Sequence, residues 1–257
     1  MNNLDGISVL VTRPAHQAES LCQMIKNAGG EPLPCPVIEI VEIPHNASLQ
    51  HMAKQLDRFY LAIFISVNAV QYAMPTLLNV QKRWPKNVLV ATVGKKTLEH
   101  LNEHEQLSVL CGVEPYNSET LLQRPELQSD IIRGRRIVIF RGEGGREFLA
   151  ESLRLRGAEV SYVNVYRRVQ PIPPDWREQQ KPDIAVVTSR EGLQNLFAMF
   201  DGQPWLRHTP LVVMSERVLA EAHVLGVQAP TLVAQVACDE GLFNALIRWR
   251  NEYHNVM

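Results

Sequence analysis

The two halves of the chain repeat one pattern of strand, loop, helix and glycine. The apolar run Ile7–Arg13 precedes an amphipathic helical pattern that stops at Gly29 and Gly30, and Arg136–Arg141 precedes a similar pattern that stops at Gly157. Later segments also correspond: 61–66 with 184–189, 88–94 with 211–215, and 107–110 with 231–234. Self-similarity of this kind restricts the chain to a duplicated architecture of supersecondary units.

The repeated unit itself indicates the fold class. Strands that alternate with helices of 3.6-residue period predict βαβ units and parallel sheets. Five such units in each half suit an α/β fold of two flavodoxin-like (Rossmann-like) domains. Ligands of these folds bind beyond the carboxyl ends of the strands, at the helix N-termini. We therefore seek functional residues in the loops that follow strands.

Two proline-flanked stretches are the best candidates for connections between domains. Residues 37–43 lie between Pro36 and Pro44, and residues 163–169 precede three further prolines. If both are crossovers, domain 1 comprises residues 1–36 plus 175–257, and domain 2 comprises residues 45–162. Segments 37–44 and 163–174 are then the linker strands. Pattern alone leaves open two domains in sequence order.

Composition excludes several classes of protein. The chain carries 26 basic and 27 acidic residues, a net charge of −1, and no basic stripe stands out, which disfavours nucleic acid as a partner but leaves room for a local cationic cleft. No apolar run reaches the ~20 residues that span a membrane, and the N-terminus lacks the pattern of a signal peptide. The expected location is therefore the cytoplasm. Four separated cysteines and eight histidines show no metal-ligand spacing, which predicts free thiols and no metal site.

Several short motifs along the chain together resemble one enzyme family. They are Val11–Pro14, Arg141–Glu147, Arg156–Val160, Val165–Tyr166, Val187–Ser189 and Val213–Arg217. Their order and spacing between Ile7 and Leu246 resemble the bacterial type of the uroporphyrinogen-III synthase family. One departure is Val218, which stands where many members carry a threonine.

The resemblance implies an architecture and a reaction. Two flavodoxin-like domains are joined by a two-stranded β-ladder. The substrate is hydroxymethylbilane, a linear tetrapyrrole with eight carboxylates, which is held between the domains and closed to uroporphyrinogen III with loss of water and inversion of the last pyrrole. The resemblance also implies no cofactor, and we expect a monomer in transient contact with hydroxymethylbilane synthase.

A polycarboxylate substrate needs hydrogen-bond donors, which strand-end loops supply through backbone N–H groups, hydroxyls and cations. The candidate substrate-binding residues are Arg13, Ser66, Asn68, Lys95, Arg141, Gly142, Gly144, Arg146, Thr188, Ser189 and Ser215. Ser66 and Ser189 are alternatively helix N-caps. Residues 142–145 are alternatively a plain tight turn. Lys96, Arg190 and Arg217 we interpret as surface charge.

Tyr166 is the candidate catalytic residue, because it aligns with the tyrosine that the family places beside the tetrapyrrole. Strict alternation puts it on one strand face with Asn164 and Arg168, opposite Val163 and Val165. From there a phenol can assist the leaving hydroxyl as a hydrogen-bond donor or general acid. The alternative is that the ring only packs against the neighbouring strand.

Two other functions fit the same fold class. A non-catalytic binding module built from two such domains leaves few marks in a sequence that has no catalytic cluster. A nucleotide- or flavin-dependent oxidoreductase is disfavoured, since the loop 142–145 lacks the final glycine of a dinucleotide-binding fingerprint.

Overall fold

The computed structural model of the protein describes residues 4–104, 107–172 and 181–253. Its strands are β1 (Ser8–Val11), β2 (Glu31–Pro34), β3 (Glu39–Glu42), β4 (Leu61–Phe64), β5 (Leu89–Thr92), β6 (Val109–Cys111), β7 (Arg136–Gly142), β8 (Glu159–Val169), β9 (Ile184–Val187), β10 (Leu211–Val213) and β11 (Thr231–Val233). Its α-helices are α1 (Ala15–Asn27), α2 (Ala47–Lys54), α3 (Val67–Gln81), α4 (Lys95–Asn102), α5 (Ser118–Leu121), α6 (Ser129–Ile132), α7 (Phe148–Leu155), α8 (Arg190–Met199), α9 (Trp205–His208), α10 (Glu216–Val224) and α11 (Asp239–Tyr253).

The chain divides into two compact units. Met1–Glu39 together with Val169–Met257 form the discontinuous unit, and Ile40–Arg168 form the continuous unit. Over the described residues, the sheet of the discontinuous unit has the order β11-β10-β9-β1-β2, and that of the continuous unit has the order β3-β8-β7-β4-β5-β6. Strands β1, β2 and β9 to β11 pair in parallel, as do β4 to β8. The predicted parallel α/β architecture is confirmed.

The sequence repeat explains the strand orders. Numbered from β1, the first sheet has the flavodoxin-like order 2-1-3-4-5. The second sheet has the same order when it is numbered from β7 and its edge strand β3 is left aside. The first sheet therefore combines two strands of the first sequence half with three of the second, and the second sheet combines two strands of the second half with four of the first. The joining pairs are β1 with β9, where Val9 aligns with Ile184, and β7 with β4, where Ile137 aligns with Leu61.

The proline-flanked stretches contribute to the sheet of the continuous unit. Strand β3 is the neighbour of β8, and the Ile43 N–H donates a hydrogen bond to the Val165 carbonyl at 3.4 Å. Strand β8 is eleven residues long and begins at Glu159, so its second half is also the start of the predicted linker segment. Residues 173–174 of that segment lie outside the described residues.

Helices cover both faces of the continuous unit's sheet. Successive residues of β7 point to opposite faces, so Phe140 packs with α2, α3 and Phe64, while Ile139 packs with Leu149 and Leu153 of α7. The Phe64 and Phe140 rings stack with centroids 4.9 Å apart. Since helices bury both faces of the sheet, polar side chains that must reach a ligand lie at the edge where the strands end.

No helix within the described part of the chain is both long and apolar enough to cross a bilayer.

Candidate functional site

The carboxyl edge of the continuous unit's sheet carries most of the predicted site residues. Ser66 follows β4 and caps α3, Lys95 follows β5 as the first residue of α4, and Gly142 ends β7. Tyr166 lies on β8 opposite Gly142. Because the strands are parallel, these positions share one edge of the sheet.

Ser66 and Tyr166 are joined through their hydroxyl groups. The Ser66 Oγ accepts a hydrogen bond from the Ala69 N–H at 3.1 Å, so the helix-capping alternative is confirmed. The same oxygen lies 3.1 Å from the Tyr166 hydroxyl oxygen. One serine therefore caps α3 and also fixes the polar end of the tyrosine.

Tyr166 is buried in the core, and the predicted face assignment is wrong. The pairing of β7 with β8 aligns Arg141 with Asn164 but Gly142 with Tyr166, so β8 contains one extra residue at a bulge. Tyr166 thus joins Val163 and Val165 in one apolar cluster and is only 3% exposed. A bulge interrupts the two-residue alternation on which the prediction rested.

Gly142 makes room for the Tyr166 ring. A Cβ atom at position 142 would lie 2.5 Å from Tyr166 Cε2 and 2.6 Å from Cζ, closer than real contacts allow. Beside it, the Glu143 N–H donates to the Tyr166 carbonyl at 2.9 Å. The first glycine of the loop is therefore required by close approach of the ring, which neither alternative in the sequence analysis anticipated.

Arg141 is 4% exposed and directs its guanidinium into its own loop. Its Nη2 donates to the Gly144 carbonyl, its Nη1 donates to Glu147 Oε1 at 2.9 Å, and its Nε donates to the Gly142 carbonyl at 3.3 Å. The guanidinium also lies over the Tyr162 ring, 4.5 Å from its centroid. These contacts compensate a buried charge, so Arg141 supports the loop from within.

Glu147 and Tyr162 complete this cluster, and the sequence analysis missed both. The Tyr162 hydroxyl donates to Glu147 Oε2 at 2.7 Å, and this bond, followed by the one from Arg141, holds the pKa of Glu147 below its ordinary range. Burial, followed by the carboxylate partner, raises the pKa of Tyr162. The sequence signal for Glu147 is its position just before α7, because acidic side chains are stabilising near the N-terminus of a helix.

A small cavity of about 230 Å³ opens beside this cluster. Its lining consists of Ile65, Val93, Ser118, Ile139, Arg141, Arg146, Leu149 and Tyr162. Apolar walls thus meet two arginines and a serine hydroxyl. Arg146 is exposed and, within the described residues, has no recorded ion pair. Gly144 and Gly145 have φ angles of 73° and 102°, which favour glycine.

Two further candidates of this unit lie on first turns of helices. Asn68 is a half-buried residue in the first turn of α3, and Lys95 is exposed at the start of α4. The first N–H groups of a helix lack partners within the helix, so both side chains lie beside available donors.

The discontinuous unit has a separate group at its own carboxyl edge. Arg13, after β1, forms an ion pair with Asp239 at the start of α11. Ser189 Oγ accepts from the Gly192 N–H at 2.9 Å, which confirms the N-cap alternative there, and Thr188 before it is half-buried. Asp239 could not be predicted from sequence, because no spacing pattern links residues 226 positions apart.

Ser215 differs from the other serines at helix starts. It occupies the N-cap position of α10 without a side-chain capping bond, and no hydrogen bond of its hydroxyl is recorded among the described residues. Arg190 pairs with Glu221 at 2.7 Å and has a half-exposed side chain, and Lys96 and Arg217 are exposed. All three residues are exposed, which agrees with their interpretation as surface charge, and Arg190 is in addition held by Glu221.

The described residues include neither a cluster of metal-ligating side chains nor a low-pKa thiol at Cys35. The described residues contain no group of three His, Cys, Asp or Glu side chains arranged to hold a metal ion. Cys35 is a buried free thiol, and burial raises its pKa to about 11. A thiol in this state is a poor nucleophile near neutral pH.

Residues 19–244 match the family model described as uroporphyrinogen-III synthase HemD. The uroporphyrinogen-III synthase of Escherichia coli K12 is 33% identical over 249 residues, covering 93% of this chain and all of that relative. The Salmonella typhimurium LT2 protein of the same name is also 33% identical, over 248 residues with the same coverage.

Solved structures agree on the fold. The crystal structure of uroporphyrinogen-III synthetase from Helicobacter pylori 26695 aligns with a TM-score of 0.60 at 15% identity, over 95% of this chain and all of that chain. A mutant uroporphyrinogen III synthase from the extremely thermophilic bacterium Thermus thermophilus aligns with a TM-score of 0.59 at 15% identity, over 96% and 100% of the two chains.

Proposed function

The chain belongs to the uroporphyrinogen-III synthase family, and we infer from this that it closes hydroxymethylbilane to uroporphyrinogen III, with loss of water and inversion of the terminal pyrrole. It is a cyclising lyase of tetrapyrrole biosynthesis. The observation that carries this function is the family match over residues 19–244 together with 33% identity to a named enzyme along its full length.

The chemistry of the substrate sets what the protein must supply. Loss of the hydroxyl group leaves a resonance-stabilised azafulvenium cation, because the pyrrole nitrogen donates the electrons. Attack by the substituted carbon of the terminal ring forms a spiro intermediate, which fragments and recloses with that ring inverted. The protein must hold the linear chain in the shape that favours this closure, so catalysis is mainly by orientation with electrostatic help.

We propose that carboxylates of the substrate bind donors at the carboxyl edge of each sheet. In the continuous unit the donors are Arg146, Asn68 and Lys95, the N–H groups that open α3 and α4, and the backbone of Gly142 and Gly144. Arg141 acts indirectly, since its guanidinium is bonded within the loop that carries Gly142, Gly144 and Arg146.

The discontinuous unit contributes a second set of donors. They are Ser215, Thr188 and the N–H groups that open α8 and α10. Arg13 joins them through its remaining guanidinium N–H groups, since its Nη1 is bonded to Asp239. Helix N-termini of this kind combine free N–H groups with the positive end of the helix dipole.

Tyr166 and Ser66 are the proposed proton-donating pair for the leaving hydroxyl group. Tyr166 is almost fully buried, whereas Ser66 is half-buried. We therefore propose that Ser66 meets the substrate and that Tyr166 supports it through their 3.1 Å contact. Because the serine hydroxyl that meets the substrate and the phenol behind it are both weak acids, the pair contributes a modest rate effect.

The proposal extends to the cellular setting. Four free cysteines are typical of a reducing compartment, so we propose that the protein acts in the cytoplasm. We also propose that it acts as a monomer and takes hydroxymethylbilane in transient contact with hydroxymethylbilane synthase.

The function is tested by following hydroxymethylbilane that is generated in the same cuvette by hydroxymethylbilane synthase. We expect the purified protein to consume it faster than it closes spontaneously, in proportion to protein concentration. Consumption at the spontaneous rate, with saturable substrate binding, would instead identify a non-catalytic binding module.

A further inference from the structure

A second, larger cavity lies in the continuous unit, at the opposite end of the strands from the candidate site. Its volume is about 770 Å³, and its lining includes the first residues of β5 and the last turn of α3. These elements meet at the amino edge of the sheet, whereas the candidate site occupies the carboxyl edge. We call it the Trp84 cavity, and the function proposed above makes no use of it.

The floor of the Trp84 cavity is apolar. Met74 and Val90 are each 1% exposed and belong to the core of the unit, and Leu78 and Leu107 pack against that core. The Trp84 indole is held in place, since its Nε1–H donates to the Val88 carbonyl at 2.8 Å. With its N–H satisfied, the indole offers the cavity mainly a rigid apolar surface.

The rim of the Trp84 cavity is cationic. Lys82, Arg83 and Lys86 line it and are exposed. Among the described lining residues there is no aspartate or glutamate, and no ion pair of the three cations is recorded in the described ranges. Glu103, which follows α4, has its Oε2 3.1 Å from Nδ1 of His100. Over the described residues, the rim therefore carries three positive charges that form no ion pair with a carboxylate.

We propose that the Trp84 cavity binds a small aromatic carboxylate, with the ring on the apolar floor and the carboxylate at the lysines and arginine. A volume of about 770 Å³ is within the usual range of small-molecule sites, and apolar walls with a few placed charges are their usual composition. Lysine and arginine recognise carboxylates through charge-assisted hydrogen bonds. The inference does not depend on the proposed catalytic function.

Isothermal titration with 2-naphthoate tests the proposal on the full chain. We expect saturable binding of one 2-naphthoate per chain. Two control ligands each lack one of the two interactions: 2-naphthamide has the ring without the charge, and inorganic phosphate has charge without the ring. We expect each to bind at least about tenfold more weakly than 2-naphthoate.

A matched pair of variants locates the site. Lys82→Gln/Lys86→Gln should weaken 2-naphthoate binding about tenfold, the effect of losing two partly screened ion pairs. Lys26→Gln/Lys181→Gln removes the same charge from exposed positions elsewhere and should bind 2-naphthoate like the parent. Equal affinities in both double variants, or no saturable binding by the parent, would overturn the proposal.

Discussion

Ser66 and Tyr166 are the residues on which the proposed chemistry most depends. Removing either hydroxyl should lower kcat several-fold, because the proton-donating pair then loses a member. We expect Ser66→Ala and Tyr166→Phe to be non-additive, so that the double variant is about as slow as the slower single variant. Steady-state kinetics on hydroxymethylbilane measures all three.

A control is needed because Ser66 also caps α3. Loss of an N-cap costs about 1 kcal/mol of stability, so Ser66→Ala should lower the free energy of unfolding as well as kcat. Asn117→Ala removes the cap of α5, in which Asn117 Oδ1 accepts from the Thr120 N–H at 2.9 Å, and should reduce stability similarly while kcat stays unchanged. If Asn117→Ala slows turnover as much as Ser66→Ala, the effect belongs to the caps and the pair has no role in the reaction.

Gly142 provides a second prediction at the scale of single residues. Gly142→Ala should destabilise the protein by about 1–3 kcal/mol, because the new methyl group overlaps the Tyr166 ring and forces it to move. In a Tyr166→Ala background the same substitution should cost much less, since the obstructing ring is gone. Urea unfolding of the four proteins gives the coupling, and equal costs in both backgrounds would contradict the contact.

At the scale of a structural element, hydrogen bonds to the charged Glu147 carboxylate stabilise the loop between β7 and α7. In the folded protein, bonds from Tyr162 and Arg141 hold the pKa of Glu147 below its ordinary value of 4.5. A lowered folded-state pKa means that the contribution to stability is complete above the unfolded-state pKa and is lost as the pH falls through the folded-state pKa. The free energy that the Glu147 contacts contribute to folding should therefore be lost at acid pH.

This predicts a pH-dependent difference between variants. Glu147→Gln should have a lower urea midpoint than the parent at pH 7, and the difference should shrink as the pH falls below about 4.5. Glu143→Gln, an exposed position in the same loop, serves as the control and should show no such trend. A constant difference between parent and Glu147→Gln down to the acid limit would rule out the charged contact.

Much of the element scale could be predicted from sequence, because strand ends and helix starts are local features. The periodicity of the apolar residues predicted α1 and the strands. The serines after β4 and β9 were predicted as alternative helix N-caps. The partners of Arg13 and Arg141 were not, since Asp239 is remote in sequence and the Arg141 contacts depend on loop conformation. The face of Tyr166 was missed because a single bulge reverses the alternation.

At the scale of the whole molecule, the internal repeat carried the prediction of fold. Equivalent strands of the two halves occupy equivalent places in the two sheets. Each sheet contains strands of both halves, which meet where β1 pairs with β9 and where β7 pairs with β4. The residue limits 1–36 with 175–257, and 45–162, stay a prediction for the domain cores. Side-chain contacts that hold a substrate cannot be read from a repeat, because they arise from loops in which the halves differ.

The central claim is that the protein directs hydroxymethylbilane to the inverted ring closure. Its most direct test is the isomer composition of the uroporphyrinogen formed when hydroxymethylbilane synthase is coupled to the purified protein, resolved by chromatography after oxidation. We predict type III isomer in large excess over the type I isomer that forms spontaneously. Product that is only type I, at any protein concentration, would contradict the account.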